Sequence, residues 1–83
     1  MIATVTRLTV LEPYRLSLEF DDGIRGEVDI TKLVAFEGVF APLRDPVTFA
    51  KVRLDDTLGT IVWPNGADID PFVLYEKALG RTI

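Results

Sequence analysis

The residues in this sequence best suited to chemistry are acids. Asp68 and Asp70 flank Ile69, and Asp55-Asp56 lie in a turn-like stretch upstream. Carboxylates drawn from two loops are the donor set that magnesium or calcium takes. Each also has a structural use. Asp70 precedes Pro71 as a helix N-cap would, and Asp68 can bond the loop backbone beside Asn65 and Gly66. Asp55 and Asp56 stand where turns ordinarily place acids. Paired carboxylates serve acid–base catalysis when burial or like charge separates their pKa values, and nothing in this spacing argues that it does.

The missing residue types constrain function harder. There is no histidine and no cysteine. The first absence removes the usual general base, metal ligand and pH switch. The second excludes disulfides, thiolate chemistry and sulfur-ligated zinc. Hydroxyl nucleophiles have no histidine to activate them, which leaves Lys32, Lys51 and Lys77 as bases. The 6 glycines are spread singly, and none forms a phosphate-cradling run between strand and helix. No catalytic residue, cofactor or metal site is therefore expected. A metal- or small-ligand-binding domain using the acidic loop around Asp68 and Asp70 stands as the alternative reading.

Charge and length narrow the partners. The 13 acidic and 9 basic residues give a net charge of −4. Arg7, Arg15, Arg25, Lys32, Arg44, Lys51, Arg53, Lys77 and Arg81 are scattered without a basic run, which argues against nucleic-acid binding. Met1 to Thr9 has no signal-peptide pattern, and no stretch approaches the length of a membrane span. The cytoplasm is the expected location. With 83 residues, 48 % hydrophobic and 27 % charged, the chain fits one globular domain over residues 1–83. Such a fold is stable by only about 3–5 kcal/mol unless an interface adds to it, which is a reason to expect a homo-oligomer.

The elements follow from period and punctuation. Ile2 to Leu11 is rich in Val, Thr and Leu and reads as a strand stopped by Pro13. Tyr14, Leu16, Leu18 and Phe20 alternate with polar residues, as do Ile24, Gly26, Val28 and Ile30 after the Asp21-Asp22-Gly23 turn. The pair predicts an antiparallel hairpin with one dry face, and Arg15, Glu19, Arg25 and Glu27 offer opposite-charge pairs on its wet face. Thr31 is placed to cap a single turn through Val34. Phe40 and Leu43 plug one edge of the core, and Asp45-Pro46 caps a short helix that turns Phe49 inward. A second hairpin joins Lys51–Asp55 to Thr60–Trp63, ended by Pro64-Asn65-Gly66. Asp70-Pro71 opens a helix to Leu79 with Leu74, Tyr75, Ala78 and Leu79 on one side and Gly80 closing it. The predicted fold is α+β in two layers, a four- or five-stranded mainly antiparallel sheet with a short C-terminal helix packed on one face.

Several residues are candidates for an interaction surface. Trp63 is first a core residue and second a partner anchor, with Asn65 and Asp68 beside it. Phe36, in a loop, and Val73, outside the helix stripe, are further candidates. The first strand, Thr4 to Val10, carries only Arg7 as a charged guard, so it is open to its own copy or to strand addition by another protein.

Three blocks of the sequence resemble a small prokaryotic family known as domain of unknown function 2442. The first is Leu16-Ser17-Leu18-Glu19-Phe20-Asp21-Asp22-Gly23 with Val28-Asp29-Ile30, and the second Gly38 to Asp45 with Phe49. The third, and the most specific, runs from Gly59 through Trp63-Pro64-Asn65-Gly66 to Asp68-Ile69-Asp70-Pro71 and Leu74-Tyr75. The resemblance implies a small α+β domain and no enzyme activity, cofactor or catalytic residue. Genes of the family often lie beside that of another small protein in an arrangement that looks like a toxin–antitoxin pair. It therefore implies a non-catalytic protein-interaction module, the antitoxin-like member of a small two-protein system, acting as a homodimer or with a small protein partner.

Overall fold

A computed structural model describes residues 4–80. Three strands, β1 (Val5–Leu11), β2 (Arg15–Phe20) and β3 (Arg25–Asp29), form an antiparallel sheet in that order. Two 3₁₀ segments follow, Ile30–Lys32 and Gly38–Arg44, and then the single-turn helix α1 (Pro46–Phe49). A separate hairpin pairs β4 (Arg53–Asp55) with β5 (Thr60–Val62), and α2 (Pro71–Ala78) is the last element among the described residues. The α+β class, the antiparallel strands and the C-terminal helix are as the sequence predicts. The five strands divide into sheets of three and two, because β4 and β5 are only three residues each and, among the described residues, the hairpin's one backbone bond to the larger sheet is Val5 N–H to Gly59 O at 3.0 Å. Of the predicted first strand, Ile2 and Ala3 lie outside the described residues, as does Arg81.

The period-2 reading of β2 and β3 holds residue by residue. Leu16, Leu18, Phe20, Val28 and Ile30 are at most 2 % exposed, while Arg25 and Glu27 face solvent. On the wet face Arg15 pairs with Glu27 at 3.0 Å, and Glu19 pairs with Arg7 of β1 at 3.9 Å. Pairs this exposed contribute at most about 1 kcal/mol each. A register shift between Val5 and Arg7 makes β1 irregular at Thr6, whose hydroxyl donates to Glu19 O at 3.1 Å.

Capping by aspartate recurs at each break in the chain. Asp45 and Asp70 accept from Val47 N and Phe72 N, each with a proline at the first helical position. The first 3₁₀ turn is capped by Asp29, which accepts from both the backbone N–H and the hydroxyl of Thr31. This corrects the assignment of the cap to Thr31. Both residue types cap, and the turn starts one residue earlier than the strand pattern implies. Gly80 closes α2 at φ 80°.

Gly26 decides how closely α2 can approach the sheet. A Cβ built on it would stand 2.4 Å from the carbonyl oxygen of Ala78. The helix end therefore rests on β3 backbone, with Leu74 fully buried and the Tyr75 ring edge-on to Phe20 at 5.0 Å. The Gly26→Ala variant should lose about 1–3 kcal/mol, because α2 or β3 must shift to admit the methyl group. Urea unfolding followed by circular dichroism measures this, and an unchanged midpoint would show that the helix is not seated on Gly26.

Candidate functional site

Two of the acids singled out in the sequence, Asp55 and Asp70, are built into the fold through their carboxylates. Asp55 accepts from Thr57 N at 2.9 Å and Leu58 N at 3.0 Å, closing the β4–β5 turn. The Asp70 carboxylate caps α2 through Phe72 N at 2.7 Å. Asp68 is exposed, and its backbone bridges Val62. With Leu58, Thr60, Ile69, Asp70 and Pro71 it borders an open cleft of about 260 Å³, where the buried Thr60 hydroxyl donates to Ile69 O at 2.6 Å. Among the described residues no three acids stand close enough together to hold a metal ion.

The tryptophan-led loop is likewise committed. Trp63 is fully buried and donates Nε1–H to Phe49 O at 3.0 Å. The core reading of this residue is the correct one; its indole is withdrawn from any surface. Asn65 is exposed, but both ends of its amide are in use, Nδ2 donating to Val39 O at 2.8 Å and Oδ1 accepting from Ala67 N at 3.1 Å. Phe36 is half-buried against the Tyr14 ring, centroids 5.1 Å apart, and Val73 is half-buried against the core. The five candidate surface residues therefore form no single patch. The large exposed apolar side chains are instead Val39, Val47, Leu58 and Phe72.

A different surface emerges at the end of β1. Phe20 N–H bonds Ile24 O at 2.8 Å and Asp21 N–H bonds Thr4 O at 2.9 Å, so even-numbered β2 residues bond β3 and odd-numbered ones bond β1. Through the register, Arg7, Thr9 and Leu11 pair with Glu19, Ser17 and Arg15. The main-chain groups of Leu8 and Val10 then point to the outer edge of the sheet. There, apart from the Val5–Gly59 bond, no further backbone bond from β1 is made among the described residues. The edge leads into an apolar groove of about 300 Å³ whose walls include Val10, Leu11, Pro13, Tyr14, Pro46 and Phe49.

Tyr14, read from the alternation as the first dry-face strand residue, instead precedes β2 and shapes this groove. It follows a cis Glu12–Pro13 bond and takes φ 65°, a conformation that non-glycine residues seldom adopt. Its ring stands edge-on to Phe36 and to Phe49 at 5.1 and 5.3 Å, its hydroxyl donates to Arg44 O, and its carbonyl accepts from Ile30 N at 3.0 Å. These contacts offset the backbone cost, which is about 1–2 kcal/mol. An aromatic residue closing the stretch from Leu11 to Arg15 was the one available signal.

What the geometry defines is a small α+β domain whose β1 edge carries no backbone bond at Leu8 and Val10 among the described residues, beside an apolar groove. The chain belongs to the family described as Protein of unknown function (DUF2442), whose model matches residues 5–80. No curated protein and no solved structure matches it. Among the described residues no helix is long and apolar enough to cross a membrane.

One titrating contact lies away from the groove. The Tyr75 hydroxyl donates to Asp22 Oδ2 at 2.5 Å, and this bond first, then that from Ile24 N at 3.0 Å, holds the Asp22 carboxyl below the usual carboxylate range. Because the folded pKa is lowered, the contact stabilises the fold above the ordinary aspartate pKa, and that contribution fades as pH falls through the lowered value. Carboxyl-detected NMR titration should show the Asp22 midpoint rising in Tyr75→Phe. Identical midpoints in the two proteins would remove the hydroxyl as the cause.

Proposed function

We propose that the chain is a non-catalytic protein-interaction module that receives an extended segment of a partner along β1. The observation that carries this reading is the continuity between the open main-chain edge at Leu8 and Val10 and the apolar groove beyond Leu11. An added strand gains main-chain bonds at such an edge and places an apolar side chain in such a groove. The net charge of −4 makes two copies of the chain repel and favours a basic partner. The antitoxin-like member of a cytoplasmic two-protein system fits this description, and a small protein of basic charge would suit it as companion. A homodimer paired β1 to β1 uses the same edge and is the second reading. A metal- or small-ligand site at Asp68 and Asp70 has less support, since the Asp70 carboxylate already caps α2.

The test uses the small protein recovered in equimolar amount with the tagged chain from its host. Its binding should slow amide exchange at Leu8 and Val10. Leu8→Pro, which removes one outer N–H at a position where an edge strand tolerates proline, should weaken binding by roughly tenfold, the worth of one main-chain bond. Thr9→Lys, an added guard on an exposed position, should do the same without lowering the melting temperature. A chain that purifies alone and monomeric, or a partner bound equally well by both variants, would defeat the proposal.

A further inference from the structure

We infer that Asn65 is a latent self-modification site that the folded loop holds shut and that unfolding opens. Asn65 is followed by Gly66, which has no side chain to hinder attack by its own main-chain nitrogen on the neighbouring amide. In that reaction the Gly66 nitrogen bonds to Asn65 Cγ, the Cγ–Nδ2 bond breaks, and the Gly66 amide proton leaves with the departing group as ammonia. A cyclic imide remains. Water then opens it at either carbonyl, giving aspartate or isoaspartate.

The fold withholds each part of this chemistry. The attacking nitrogen is engaged, because Gly66 N–H donates to Trp63 O at 2.9 Å. The leaving nitrogen is engaged, because Nδ2 donates to Val39 O at 2.8 Å. The amide oxygen is held by Ala67 N at 3.1 Å. Turning Cγ onto the Gly66 nitrogen breaks both side-chain bonds. The loop itself is pinned by Trp63 N–H to Ala67 O at 2.8 Å and by the fully buried indole at its start. Reaction therefore proceeds through opened chains, and its rate follows the population of the open state.

The product does not fit the loop it came from. Aspartate has no N–H for Val39 O, and its carboxylate would face that carbonyl as a second acceptor. Isoaspartate also adds a main-chain carbon inside a turn closed by two short bonds. Each excursion to the unfolded state thus carries a chance of permanent loss.

Peptide mapping by mass spectrometry at mildly alkaline pH tests this on the whole chain. Conversion at Asn65 should be at least about a hundredfold slower in native buffer than in guanidinium, the ratio set by the open population. Gly26→Ala, destabilised far from the loop, should convert faster than wild type in native buffer, and Asn65→Asp should unfold at lower denaturant. Equal rates in native and denaturing buffer would overturn the inference, as would an Asn65→Asp variant with the wild-type midpoint.

Discussion

The Trp63 indole, fully buried with its N–H on the Phe49 carbonyl, is the contact on which the second half of the structure depends. A tryptophan buries roughly 150–250 Å², worth about 4–6 kcal/mol as an upper figure. That is comparable to the whole stability expected of a domain this size. The gain survives only because the indole N–H finds a carbonyl, since an unpaired buried donor would cost about 1–3 kcal/mol. The ring touches Phe49, Phe49 touches Tyr14, and Tyr14 touches Phe36. Four segments with little regular structure are thereby joined to one another and to the three-stranded sheet.

This arrangement explains the Trp-Pro-Asn-Gly and Asp-x-Asp-Pro run in architectural terms. Trp63 supplies the anchor, Asn65 clamps the loop to the second 3₁₀ segment, and Asp70 starts α2. Between them the backbone bridge of Asp68 to Val62 and the Thr60 bond to Ile69 keep the loop against β5. A sequence motif this specific invites a catalytic or ligand-binding explanation, yet the Trp63 indole, the Asn65 amide and the Asp70 carboxylate are all engaged within the chain. The surface proposed for a partner lies elsewhere, at β1 and the groove.

Much of the fold was legible because its signals are local. Alternation along β2 and β3, the Asp-Pro caps and the glycine after α2 each depend on a few consecutive residues. What escaped depends on contacts distant in sequence. The first 3₁₀ turn could be capped by Asp29 or Thr31 on type alone. Trp63 carries no mark of whether its N–H will meet a carbonyl. The sheets part because β4 and β5 are too short for their pattern to reveal their neighbour. The groove could not be read at all, since residues 10–14 and 46–50 form it only after Tyr14 has taken its left-handed conformation.

The burial of Trp63 has an optical consequence. As the sole tryptophan, held in apolar surroundings away from water, it gives the protein one emission band at short wavelength. That band moves to the red when the core opens. Phe49 stands between the indole and the groove, touching one and lining the other. Occupancy of the groove therefore leaves the colour of the emission in place while unfolding changes it, so a single fluorescence trace distinguishes a filled molecule from a broken one.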